Sequence, residues 1–60
     1  MIDIRKMTIL IVDDMKSMRL TIRKMLKNLE IGGNLKFAEN GREAIEILKE
    51  VTVDMAILDW

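Results

Sequence analysis

Apolar and polar positions follow two different rhythms along this chain. Thr8-Ile9-Leu10-Ile11-Val12 is a short, β-branched, uncharged run that ends in Asp13 and Asp14. A continuous apolar run of that length suits a strand buried on both faces of a parallel sheet, and it is too short for a buried helix. From Met15 the rhythm changes. Met15, Met18, Ile22, Met25, Leu26 and Leu29 recur at spacings of three and four, which predicts an amphipathic helix reaching about Asn28. Asp14 or Ser17 is expected to cap it, since either oxygen accepts from the free N–H groups of a first turn. Ile31-Gly32-Gly33-Asn34 should end it, with glycine supplying the positive φ of a helix C-terminus. Leu35 to Glu39 alternates, with Leu35 and Phe37 on one side and Lys36 outward, as in an edge strand. Asn40-Gly41-Arg42-Glu43 has the spacing of a capping box, and the helix it starts carries Ala44, Ile47, Leu48 and Val51 inward. Thr52 and Val53 lead into a last strand, Met55-Ala56-Ile57-Leu58, which ends in Asp59. Met1 to Met7 reads as a polar, mobile leader.

The predicted order is strand, helix, strand, helix, strand, an α/β arrangement with right-handed crossovers. If the sheet order is 2-1-3, one helix covers each face. Ligands of such sheets bind beyond the strand C-termini where the order reverses. That point lies between the first and third strands, where Asp13, Asp14 and Asp59 stand.

Composition narrows the chemistry. The chain has sixty residues, half of them hydrophobic and a third charged, and its formal charges cancel. A chain this short buries only about 60% of its unfolded surface and forms one globular piece. Neutrality gives no global pull toward nucleic acid or membrane. With no cysteine and no histidine, disulfides, thiolate chemistry, imidazole catalysis and the usual zinc sites are excluded within this chain. Any metal is held by oxygen, which favours magnesium, calcium or manganese. No apolar run is long enough to cross a bilayer, and Asp3 with no apolar signal segment leaves the cytoplasm as the expected compartment. Lys16, Arg19, Arg23, Lys24 and Lys27 lie in a stretch without acids or aromatics, which reads as a solvated helix face, so binding to nucleic acid is not expected. Three of the six methionines fall on the first helix stripe, where core filling is expected over an adaptable binding groove. A nucleotide-binding turn would need glycines after the first strand, and Asp13-Asp14-Met15-Lys16 would instead repel phosphate.

Three aspartates gathered at one edge repel one another unless a cation intervenes. Magnesium relieves that conflict with one or two protein carboxylates, several waters and phosphate oxygens. A carboxylate can also attack a phosphoryl group and form an acyl phosphate.

Thr8-Ile9-Leu10-Ile11-Val12-Asp13-Asp14, Ser17-Met18-Arg19 and Asp54-Met55-Ala56-Ile57-Leu58-Asp59-Trp60 together resemble a bacterial response-regulator receiver domain, nearest to its chemotaxis members. The resemblance runs from about Met7 to Trp60 and covers the first half of that domain. It implies a truncated flavodoxin-like βαβαβ fold, three parallel strands in the order 2-1-3 with one helix on each face. Chemotaxis receivers are themselves a standard example of that strand order, so the order follows from the resemblance and not from the spacing. The resemblance further implies that Asp59 accepts a phosphoryl group from a histidine kinase. Asp13 and Asp14, with Asp59, would hold Mg²⁺ or Mn²⁺, weakly in sixty residues alone. Trp60 matches a tryptophan that often follows the acceptor. In the family the third protein ligand is a backbone carbonyl two residues after the acceptor, and it lies outside these sixty residues. So do the later Ser/Thr, the switch aromatic and the lysine that contacts phosphate. A working switch is therefore not expected of this length of chain, nor enzyme activity beyond residual self-phosphorylation. The start of the first helix lies near the phosphodonor surface in receivers, which makes it a candidate partner contact.

Two expectations concern association and the chain end. Met55, Ala56, Ile57 and Leu58 form an apolar strand without a charged gatekeeper, and its outer edge is expected to be unpaired. That predicts a homodimer about a two-fold axis, with exchange of a helix or strand between chains as the competing oligomer. The α-carboxylate of Trp60 would stand in for the missing carbonyl ligand or add to the repulsion around Asp59.

Overall fold

A computed structural model describes residues 3–59. Its elements are a 3-10 turn at Ile4–Lys6, then β1 (Thr8–Val12), α1 (Lys16–Asn28), β2 (Asn34–Ala38), α2 (Gly41–Glu50) and β3 (Met55–Leu58). The three strands are parallel in the order β2-β1-β3. This is the α/β, flavodoxin-like arrangement that the alternation of elements and the resemblance implied.

The central place of β1 follows from its sequence. Ile9, Leu10 and Ile11 are fully buried and Val12 nearly so. Each side chain of that size contributes about 2 kcal/mol when taken from water. Strand alternation divides them between two cores. Ile9 and Ile11, with Met7, meet Ile22 and Leu26 of α1 together with Leu35, Phe37 and Ile57. Leu10 and Val12 meet Ala38, Ala44, Ile47 and Val53 on the α2 face. One helix therefore covers each face.

Several local expectations need correction. Met7 is buried and Ile4–Lys6 is wound into a turn capped by Asp3, so the leader is ordered from Asp3 on; Met1 and Ile2 lie outside the described residues. Neither Asp14 nor Ser17 caps α1. Met15 occupies the cap position with no side-chain bond of its own, and the carboxylate of Asp13 accepts its N–H at 2.9 Å. The reason is an Asx turn: an aspartate at the strand end bonds the backbone two residues on and starts the helix from there.

The end of α1 also differs. The Ile31 N–H donates to the Leu26 carbonyl at 2.9 Å and the Glu30 N–H to that of Lys27 at 3.1 Å, a Schellman pair. The left-handed residue in it is Glu30, with φ 57°, and not a glycine. Gly32 also has positive φ, but it serves a close approach. Its N–H donates to the Ile4 carbonyl at 2.7 Å, and a Cβ there would lie 2.8 Å from both Ile9 and Leu35 side chains.

Of the α1 stripe, Ile22 and Leu26 reach the core, whereas Met15, Met18, Met25 and Leu29 are exposed. Those methionines do not fill this core. Arg19 takes a place on the inward side of the first turns, and the three-stranded sheet beneath α1 is too narrow to cover the whole stripe. In α2, Ala44 and Ile47 point inward as expected, but Leu48 is 52% exposed. The capping box is present in a shifted form. Asn40 accepts from the Glu43 N–H at 3.0 Å, and the Glu43 carboxylate reaches past it to the N–H of Glu39 at 2.8 Å.

Candidate functional site

All three strands deliver acids or amides to the same edge. The Asp13 N–H donates to the Ala38 carbonyl at 3.1 Å, and the Asp59 N–H to the Val12 carbonyl at 3.0 Å. These bonds continue the parallel ladder one residue past each strand. Asp13 and Asp14 thus follow β1, Asp59 follows β3, and Glu39 with Asn40 follows β2.

The acids have different surroundings. Asp13 is 2% exposed, and only one of its oxygens is used by the chain: Oδ1 accepts from Met15, whereas the buried Oδ2 has no hydrogen-bond partner. Asp14 and Asp59 are exposed and line one cleft of about 270 Å³ with Val12, Glu39, Asn40 and Gly41. The sequence-predicted acids are therefore brought to one edge, but as a buried carboxylate beside two open ones. Among the described residues, no three acids converge into a ready metal cage.

Two residues of this edge escape sequence reasoning. Arg19, read as part of a solvated basic face, has its side chain only 13% exposed. Its guanidinium donates to the Asp13 backbone carbonyl at 2.6 Å and stands 3.7 Å from Glu39. Glu39, read only as a strand end, is both its ion-pair partner and a wall of the cleft. The available signal was Arg19 falling between Met15 and Ile22 on the inward stripe.

The donor set suits a hard divalent cation. Every candidate ligand is a carboxylate oxygen, and a buried carboxylate oxygen without a partner is costly unless something positive meets it. The β3 residues named for association are also in view: Met55, Ala56 and Leu58 are exposed and Ile57 half-buried. Trp60 lies outside the described residues, and with it the expectations about its carboxylate.

Known proteins give the same direction. The model of the response regulator receiver domain family matches residues 9–60. The chemotaxis protein CheY-3 of Vibrio cholerae serotype O1, from the Classical Ogawa and the El Tor Inaba strains, is 36% identical over 56 residues in each case. That alignment covers 93% of this chain and 42% of each relative, so the chain spans less than half the length of the curated proteins it matches. No solved structure matches it. With a βαβαβ sheet in the order 2-1-3, acids at the ends of β1 and β3, and a family match from Ile9 onward, the chain belongs to the response regulator receiver domain family.

Proposed function

We propose that this chain carries the phosphoacceptor edge of a two-component receiver, with Asp59 as acceptor and Asp13 and Asp14 as the paired metal ligands. The observation that supports it best is the buried, unpartnered Asp13 Oδ2 at the sheet edge where Asp14 and Asp59 line a cleft. The donor is a phosphohistidine of a histidine kinase. A carboxylate oxygen of Asp59 attacks phosphorus, the P–O bond forms as the P–N bond breaks, and the electron pair leaves on the imidazole. Asp59 meets the donor from an exposed position at the end of β3. Asp13 and Asp14 would hold Mg²⁺, or Mn²⁺, which would supply positive charge to the phosphoryl oxygens. Arg19 fixes the backbone from which both ligands project.

In this reading the chain is a phosphoacceptor and not an enzyme that turns over a separate substrate. Its compartment is the cytoplasm, where the kinase draws on ATP. Sixty residues alone bind the cation weakly and take phosphate slowly, without relaying a switch. Incubation with acetyl phosphate and Mg²⁺ tests this by mass spectrometry. The expected product is a single hydroxylamine-labile phosphoryl group that is absent in Asp59→Asn and reduced by a chelator. Labelling elsewhere, or labelling indifferent to chelator, would sink the assignment.

A second reading concerns the sixty residues on their own. Met55 is 46% and Leu58 52% exposed beside the outer edge of β3, which pairs with no strand among the described residues. Two such edges pairing antiparallel about a two-fold axis would make a continuous six-stranded homodimer, with a domain-swapped oligomer as the rival. Sedimentation at low micromolar concentration separates them from a compact monomer, which would end this reading.

A further inference from the structure

A second concavity is larger than the acidic cleft. It is a groove of about 450 Å³ between α1 and β2, on the face of the sheet opposite α2. Lys16, Arg23 and Lys27 stand along its rim, and Leu20, Leu35 and Phe37 line it between them, with Gly32 and Gly33 at its wall. None of those three cations has an ion-pair partner among the described residues. Arg19, which also borders the groove, is already engaged with Asp13 and Glu39.

Formal neutrality conceals how the charge is divided. The stretch from Met15 to Asn28 holds five cations and no acid, whereas from Leu29 onward seven acids face three cations. The positive charge is therefore concentrated on one helix, and its free rim cations span roughly 16 Å, with Arg23 and Lys27 about one turn apart and Lys16 about two turns before Arg23. A purely solvated face needs no concavity beside it and no apolar lining.

We propose that the α1–β2 groove binds an acidic amphipathic segment of a partner protein, with its carboxylates on Lys16, Arg23 and Lys27 and its apolar side chains against Leu20, Leu35 and Phe37. The charge complementarity is with a ligand whose carboxylates match that two-turn and one-turn spacing. The apolar lining selects a ligand with side chains to bury between those carboxylates. A lipid surface is flat and would leave that lining unfilled. Duplex nucleic acid offers phosphates but no side chains to fill the lining, and single strands favour aromatic stacking platforms, of which this lining offers only Phe37. The three free rim cations are distinct from the residues that line the acidic cleft.

The experiment uses the sixty-residue chain and a fluorescein-labelled amphipathic peptide with one glutamate per helical turn beside a leucine. Fluorescence anisotropy should show saturable binding that weakens with salt and is lost when glutamine replaces each glutamate. Arg23→Glu with Lys27→Glu should lower affinity about tenfold or more. The exposed Leu20→Ser should lower it severalfold with circular dichroism unchanged. Amide shifts of the unsubstituted protein need no variant, and they should centre on Gly32, Leu35 and Phe37. The proposal is overturned if Leu20→Ser leaves affinity intact or if the shifts stay on the outward face of α1. It is equally overturned if phosphatidylserine vesicles or a DNA duplex bind more tightly than the peptide.

Discussion

The Nη1 atom of Arg19 lies 2.6 Å from the backbone carbonyl oxygen of Asp13, while Nη2 of the same guanidinium stands 3.7 Å from Glu39. One side chain of α1 thus ties the end of β1 to the end of β2. Because that side chain is 13% exposed, its bond to Asp13 is partly shielded from water. Hydrogen bonds from a charged donor contribute about 1.5–3 kcal/mol. Arg19→Ala should therefore lower the melting temperature by several degrees and also weaken Mg²⁺ affinity, because the turn bearing Asp13 and Asp14 loses its anchor. Arg19→Lys should recover little, since a single ammonium lacks the fork that spans both partners. Thermal unfolding and isothermal titration, run on the same variants, check both effects. A loss of stability with unaltered metal affinity would separate Arg19 from the site.

Asp13 predicts changes of opposite sign. Its Oδ1 starts α1 through Met15, but Oδ2 is buried and unpartnered. Asn keeps the Oδ1 acceptor and removes the buried charge. In metal-free buffer, Asp13→Asn should leave the protein as stable or stabilise it by about 1–2 kcal/mol. In millimolar Mg²⁺ the wild type should gain stability and the variant should not, because ligand binding stabilises only a protein that binds it. Melting curves with and without Mg²⁺ decide. A variant destabilised in both buffers would show that the carboxylate is structural.

What can be read from the sequence is set by how local each cause is. The strands and helices are legible because β1 is apolar throughout and the stripe through Ile22 and Leu26 has helical spacing. The site acids are legible as residue types at strand ends. Which of them is buried is not, because Asp13 and Asp14 are identical side chains distinguished only by the pleat and by the Asx turn. Arg19 escapes for a similar reason: a cation in a basic stretch gives no sign that its guanidinium folds back onto a carbonyl. The methionines of α1 mislead because helical spacing predicts an apolar face without telling how much sheet lies beneath it.

The left-handed residue after α1 gives a third expectation. Glu30 sits at φ 57° between Leu29 and Ile31, where a side chain is strained by about 1–2 kcal/mol. Glu30→Gly relieves that strain and recovers part of it against the greater freedom of glycine in the unfolded chain, so the net gain should be about 0.5–1 kcal/mol. Gly32→Ala should do the reverse. Its φ of 78° is also left-handed, and the added methyl would meet Ile9 and Leu35 at 2.8 Å. Chemical denaturation of the two variants should move the midpoint in opposite directions. Equal destabilisation by both would mean that Glu30 makes a compensating contact.

Asp54 makes the last case, because it holds β3 without belonging to the acidic edge. Its backbone N–H donates to the Thr8 carbonyl at 2.9 Å, and its Oδ2 accepts the Thr8 N–H at 2.8 Å. The pair closes a two-bond clasp at the start of β1 and β3, the end of the sheet opposite Asp59. It fixes the register in which Ile9 faces Met55 and Val12 faces Leu58, so Asp59 comes level with Asp13 because Asp54 sits level with Thr8. Asp54→Ala removes the side-chain acceptor and leaves the Thr8 N–H to solvent, which should cost about 1 kcal/mol. Asp54→Asn keeps an acceptor and should recover much of that loss. Hydrogen exchange is the direct readout: the Thr8 amide should exchange faster in Asp54→Ala than in Asp54→Asn, and the Asp59 amide should follow it if the register loosens along the whole strand. Faster exchange at Thr8 with Asp59 unchanged would confine the clasp to its own end and leave the acceptor's position to the Val12–Asp59 bond alone.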